Sequence, residues 1–192
     1  MQLDYTPEQH QLAQRLRSYF AQLMTPELED EVSVLESGGP LARAALAQMG
    51  RDGWLGLGWP REYGGQGRPA IEQFIFFDEV QRAGFPIPLL TLNTVGPTLM
   101  RHGTDAQRQS LLPKILAGEL QFAIGYTEPN AGTDLAALQT RAVRDGDHYV
   151  VNGQKSFSSM ADQTDYIWLA CRTDAAARHK GISILIVDTK TP

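Results

Sequence analysis

Hydroxyl, amide and aromatic groups gather in two short stretches of this chain. One is Tyr126-Thr127-Glu128-Pro129-Asn130-Ala131-Gly132-Thr133-Asp134, and the other is Asn152-Gly153-Gln154-Lys155-Ser156-Phe157-Ser158-Ser159. The first is a loop shaped by Pro129 and Gly132. Successive backbone amides and hydroxyls on such a loop make an anion-binding concavity without a lysine, so Gly132 and Thr133 suit a pyrophosphate. The second is a tight turn that delivers Phe157, Ser158 and Ser159, a flat apolar ring followed by two hydroxyls. Hydrogen bonds plus a flat wall are what a planar heteroaromatic ring joined to a pyrophosphate requires. Taken alone, Ser158 and Ser159 read equally well as a solvated strand end.

The other reactive side chains read as structural. Glu128 lies between Thr127 and Pro129, and a loop carboxylate placed so pairs with backbone or arginine groups more often than it abstracts a proton. Asp134 follows a turn and reads as its cap. Cys171, the single cysteine, sits in the apolar run Ile167-Trp168-Leu169-Ala170-Cys171 and reads as a small buried thiol. His10, His102, His148 and His179 are scattered, with no CxxC or HExxH spacing, so no metal site is expected.

The elements that must carry these groups follow from periodicity. Thr6-Pro7 with Gln9 is a helix start with a capping box, and Leu12, Leu16, Phe20 and Leu23 share one face. Further helices are expected over Pro40–Asp52, Pro69–Ala83 and Pro88–Arg101. Another should start at Thr104, with Gln107 in the capping-box position, and close before Gly118. Phe74, Phe76, Phe77 and Phe85 read as core. Short connections imply antiparallel neighbours and hence a bundle. From Gln121 the pattern becomes β. Leu138–Arg144 and His148–Val151 flank the hairpin signal Asp145-Gly146-Asp147, and Tyr166–Arg172 and Ile182–Val187 add two strands. Helices first and strands after give an α+β chain, with a helical domain over 1–118 and an antiparallel β meander over 119–192. The open apolar edge left at Thr191-Pro192 leads us to expect an incomplete β domain and further chain after it.

Composition bounds the partners. The chain has 192 residues, 42% hydrophobic and 20% charged, with 17 basic against 22 acidic side chains and a net charge of -5. That balance offers no clustered positive charge for nucleic acid. No apolar run approaches the roughly 20 residues that span a bilayer, and Met1-Gln2-Leu3-Asp4 lacks the pattern of a signal peptide. A cytoplasmic protein is expected, with no nucleic-acid or membrane partner.

Trp59-Pro60-Arg61-Glu62-Tyr63-Gly64-Gly65-Gln66-Gly67, taken alone, is a turn with aromatics packed beneath it. In the same order as the Tyr126–Asp134 loop and Asn152-Gly153-Gln154-Lys155, it resembles the acyl-CoA dehydrogenase family. The resemblance covers essentially the whole chain. It implies a flavin-dependent α,β-dehydrogenation of an acyl-CoA, with FAD as cofactor, an electron-transfer flavoprotein as electron acceptor, and a homo- or hetero-oligomer. It also implies roles by position. Tyr126 and Thr127 face the pyrimidine side of the flavin, with Ile124 and Gly125 alongside. Gly132 and Thr133 meet the pyrophosphate, and Thr133 also lies beside the acyl thioester. Phe157 stands where many members carry a tryptophan against the ring, Ser158 follows it, and Ser159 matches a hydroxyl residue near flavin N5. Phenylalanine keeps an apolar wall but loses ring area and the indole N–H.

The family's catalytic base is a glutamate in a C-terminal helical segment, and no residue here matches it. The 192 residues alone are therefore expected to be inactive. Two other functions fit the same resemblance: a non-catalytic partner subunit of a heteromeric dehydrogenase, and an acyl-CoA oxidase.

Overall fold

A computed structural model describes residues 4–35 and 38–191. They form two compact units, Met1–Leu120 and Gln121–Pro192.

The first unit is helical: α1 (Pro7–Leu23), α2 (Pro26–Val34), α3 (Pro40–Arg51), α4 (Ala70–Arg82), α5 (Gly96–His102) and α6 (Asp105–Leu116). Capping boxes at Thr6/Gln9 and Thr104/Gln107 satisfy the first amides of α1 and α6. Helix α2 was not anticipated. Thr25-Pro26 carries the same start signal as Thr6-Pro7, and Thr25 accepts from the Leu28 amide, but only Leu28 is fully buried, so the helix shows little periodicity. Its Glu31 caps the next helix, accepting from the amides of Gly39, Leu41 and Ala42 at 2.8, 3.0 and 2.8 Å. The core forms where α1 meets α4, with Leu16, Phe20, Ile75, Phe76 and Val80 nearly inaccessible. Trp54 stacks on Phe76 with ring centroids 6.5 Å apart. Phe74, expected in the core, is 58% exposed, because it lies off the buried Ile75–Phe76–Val80 face of α4.

The helix expected over Pro88–Arg101 is interrupted. Thr91–Val95 form a wider π turn, and α-helix resumes only at Gly96. Pro97 has no N–H to give to the Asn93 carbonyl, which opens the ladder there. The Trp59–Gly67 turn does cover a buried aromatic: Trp59 is 3% exposed and its indole N–H donates to the Leu92 carbonyl at 3.1 Å. A Cβ at Gly96 would run into that indole ring, so the close approach depends on glycine.

The second unit is one mixed sheet of β1 (Phe122–Gly125), β2 (Arg141–Asp145), β3 (His148–Asn152), β4 (Tyr166–Arg172) and β5 (Ile182–Asp188). Hairpins β2–β3 and β4–β5 are antiparallel. The simple antiparallel meander does not form. Strand β1 runs parallel to β4, from Phe122↔Tyr166 to Gly125↔Leu169, and β2 meets β4 in parallel at Arg141↔Arg172. Periodicity marks strands but not their partners, and the long connection after β3 lets β4 return between β1 and β2. Trp168, Leu169, Ala170 and Cys171 of β4 are buried. Burial raises the Cys171 thiol above its ordinary pKa, as suits an inert core thiol. No described helix is long and apolar enough to cross a membrane.

Candidate functional site

The two chemistry-bearing stretches meet in the second unit. Strand β1 ends at Gly125, whose Cα lies so close to Ile167 and Leu169 that a Cβ would crowd both. Beyond it the Tyr126 ring packs against the small cluster of Ala131, Leu138 and Ala170. The loop closes on itself through Glu128 N–H to Ala131 carbonyl at 2.7 Å and the reverse bond at 3.1 Å. It buries Ala131 and leaves Gly132 and Thr133 exposed.

The second stretch joins the first through the Ser156 amide, which donates to the Thr127 carbonyl at 2.9 Å. Gly153 lies against Thr140 with no room for a Cβ. Downstream of this join Phe157 is 89% exposed and holds φ at 58°. A left-handed backbone is disfavoured for a bulky residue by roughly 1–2 kcal/mol. The turn is closed by the Ser159 amide, which donates to the Phe157 carbonyl at 3.0 Å. Ser159 is exposed and Ser158 half-buried. Ile124 is half-buried in β1 beside Trp168.

Beneath this surface lies a polar framework. Glu128 accepts from the amides of Gln139 and Thr140 at 2.6 and 2.8 Å and from the Lys155 ammonium at 2.8 Å. Lys155 also donates to the Tyr126 carbonyl at 3.0 Å. Burial pushes the Glu128 carboxyl upward, but the Lys155 bond and the two amides outweigh it and hold the pKa at about 2. Glu128 is thus a paired anion and a poor proton acceptor. Asp134 does cap a turn, accepting from the Ala136 amide at 3.1 Å, and it also pairs with Arg178 at 2.8 Å. Arg172 donates to the carbonyls of Leu138, Ala136, Ala177 and Arg178, tying the segment after Asp134 to the loop before β5.

Lys155 and Arg172 escaped the sequence reading. For Lys155 the signal lay in Glu128, which needed a buried cation and found a lysine rather than an arginine. Arg172 ends an apolar strand and carried no local signal. Among the described residues no group of His, Cys, Asp or Glu is arranged to hold a metal ion.

The acyl-CoA dehydrogenase N-terminal domain profile matches residues 6–119, and the acyl-CoA dehydrogenase middle domain profile matches residues 123–192. The chain belongs to the acyl-CoA dehydrogenase family. It is 60% identical over 193 residues to acyl-CoA dehydrogenase FadE29 of Mycobacterium tuberculosis, covering 100% of this chain and 50% of that protein. It is 57% identical over 196 residues to FadE26 of the same organism, covering 98% and 49%. Among solved structures, the ChsE4-ChsE5 complex from Mycobacterium tuberculosis superposes with a TM-score of 0.92 at 58% identity, over 99% of this chain and 49% of that one. The Tcur3481-Tcur3483 steroid ACAD gives 0.91 at 57%, over 98% and 50%. The chain spans about half the length of the acyl-CoA dehydrogenases that it matches. The helical unit thus corresponds to the family's N-terminal domain and the β unit to its middle domain.

Proposed function

We propose that the β unit binds FAD and that this chain contributes the flavin-facing part of an acyl-CoA dehydrogenase. The observation that carries the reading is the outward presentation of Phe157 beside a loop whose ligand-facing groups are open. Thr133 is exposed, and its amide and hydroxyl meet no acceptor among the described residues. A Cβ at Gly132 would meet nothing within 4 Å, so a ligand can approach the backbone there. These residues fit a flavin: an anion-binding loop at Gly132 and Thr133, hydrogen-bonding backbone and hydroxyl at Tyr126 and Thr127, an aromatic wall at Phe157, and hydroxyls at Ser158 and Ser159.

FAD, when bound, supplies a hydride acceptor for the β-carbon of an acyl thioester while the α-proton is lost to a base. In this reading Thr133 binds the pyrophosphate and borders the thioester. Tyr126 and Thr127 would offer hydrogen bonds that stabilise negative charge on the reduced ring, Phe157 would exclude water from it, and Ser158 and Ser159 would offer further hydroxyls. Glu128 holds its proton off at neutral pH and keeps the loop in shape. This reading assigns the role of base to none of the described residues. An electron-transfer flavoprotein takes the electrons onward, and the protein works in the cytoplasm. The identity to a structure named steroid ACAD supports an acyl-CoA whose acyl part carries a ring system. The two-component names of both solved relatives support a second kind of chain as partner.

Thr133→Ala tests the site. Losing one hydrogen bond to a charged group typically costs about 1.5–3 kcal/mol, so FAD should bind roughly ten- to a hundredfold more weakly in a titration of the native assembly. Unchanged affinity would remove Thr133 from the site. A partner subunit that takes no flavin of its own is the second reading, favoured by phenylalanine at position 157 in place of tryptophan. It predicts one FAD for every two chains in the assembly.

A further inference from the structure

Among the described residues, the two stretches that present Thr127 and Phe157 share one direct backbone bond, from the Ser156 amide to the Thr127 carbonyl. A single such bond contributes about 0.5–1.5 kcal/mol and leaves the spacing of two loops loosely defined. The stronger link lies underneath. The Lys155 ammonium reaches the Tyr126 carbonyl and the Glu128 carboxylate at once, at 3.0 and 2.8 Å, from the residue just before Ser156. Both side chains are shielded, Lys155 at 11% exposure and Glu128 at 6%. The other carboxylate bonds run to the adjacent Gln139 and Thr140 amides, so one anion ties its own loop to two other segments.

We propose that Lys155 and Glu128 are positioning residues: their buried pair fixes the spacing between the Tyr126–Thr127 loop and the Phe157–Ser159 segment, and through that spacing sets flavin affinity. The inference rests on the reading of this loop pair as a flavin site. Charge alone does not explain why a buried pair belongs here, since replacing such a pair by apolar groups is often neutral or stabilising. Its geometry does, because a side chain from one stretch ends on the backbone of the other. Interactions that orient ligand-binding groups typically cost 10- to 100-fold in affinity when removed, as for the outer partners of metal ligands.

The test separates positioning from stability. Lys155→Met alone leaves a buried carboxylate without its cation and can fail to fold, so the informative variant is the Glu128→Gln/Lys155→Met double. It buries no charge and keeps an acceptor for one amide, so it should melt closer to the parent than Lys155→Met alone. We expect its Ser156 amide to exchange with deuterium at least tenfold faster than in the parent, with exchange in β4 and β5 unchanged. FAD should bind at least tenfold more weakly, with a shifted flavin absorbance. Lys155→Arg, which keeps a cation within reach of the Glu128 carboxylate, should keep both readouts closer to the parent than the double variant does. A double variant with parental Ser156 exchange and parental FAD affinity would overturn the proposal. If the folded parent takes up no FAD, the flavin reading fails, and hydrogen exchange at Ser156 still decides whether the pair positions the segment.

Discussion

The two units use their aromatic and ionic side chains in opposite ways. In the helical unit Phe20, Trp54, Phe76 and Trp59 are turned inward and packed on one another or on glycines. Its notable ion pair, Arg17 with Glu79, has an exposed cation at 62% and ties α1 to α4 at their rim. In the β unit Phe157 is the most exposed of the large hydrophobic side chains, and the Glu128–Lys155 pair, unlike the exposed Asp134–Arg178 pair, has both partners shielded. Packing decides the first unit, and polar connections between loops decide the face of the second. A segment whose backbone adopts a disfavoured conformation to expose a ring is shaped by something other than folding stability.

The sharpest way to break this comparison is to delete one aromatic from each unit. Phe76→Ala removes a side chain that is 1% exposed and touches Phe20, Trp54 and Phe77, and should cost about 3–5 kcal/mol of unfolding free energy. Phe157→Ala removes a larger exposed surface and should change stability by no more than about 0.5 kcal/mol. Urea unfolding of both variants checks the contrast. A cost above about 2 kcal/mol at Phe157 would show that the ring packs within the chain and has no ligand to serve.

Acid should separate the units next. The Glu128 carboxyl has a folded pKa of about 2 against an ordinary 4.5, so its stabilisation is fully present above about pH 4.5 and is lost as pH falls toward 2. The amount lost is on the order of 3 kcal/mol, since each pKa unit corresponds to about 1.36 kcal/mol. Amide exchange of β4, followed from pH 5 to 2.5, should report that loss after correction for intrinsic rates. The Glu128→Gln/Lys155→Met variant should show a flatter profile. Equal slopes in the two proteins would mean that other carboxylates govern acid unfolding.

Much of this arrangement was legible in the sequence because it is written in local signals. Thr6/Gln9 and Thr104/Gln107 mark helix starts through bonds three residues long, and Asp145-Gly146-Asp147 marks a hairpin through two residues. What was illegible is non-local. The parallel pairing of β1 with β4 joins Phe122 to Tyr166 across a long stretch of chain, and alternation along a strand says nothing about its partner. The π turn at Thr91–Val95 depends on Pro97, which lies within the span Pro88–Arg101 expected as one helix. At the candidate site, the loop, its glycine and its aromatic were visible as residue types. Lys155 and Arg172 were not singled out, because their roles are set by which carbonyls and carboxylates the fold places within reach.

The smallest expected effect sharpens the comparison most directly, because it asks what the left-handed Phe157 costs. At φ 58° the phenylalanine Cβ crowds the following carbonyl, a penalty of roughly 1–2 kcal/mol that glycine does not incur. Glycine has more freedom to lose on folding, which offsets about 0.5–1 kcal/mol of the relief. Phe157→Gly should therefore stabilise the flavin-free protein by about 0.5–1 kcal/mol, while Phe157→Ala, which keeps a Cβ in the same conformation, should not. The two variants differ only at that atom and so separate backbone relief from loss of the ring. With FAD present the order should invert, both variants binding more weakly than the parent because each lacks the aromatic wall. Thermal unfolding with and without FAD measures both halves. A flavin-free Phe157→Gly protein less stable than its parent would mean that the backbone at Phe157 is relaxed, and the argument that ligand binding shaped it would lose its physical basis.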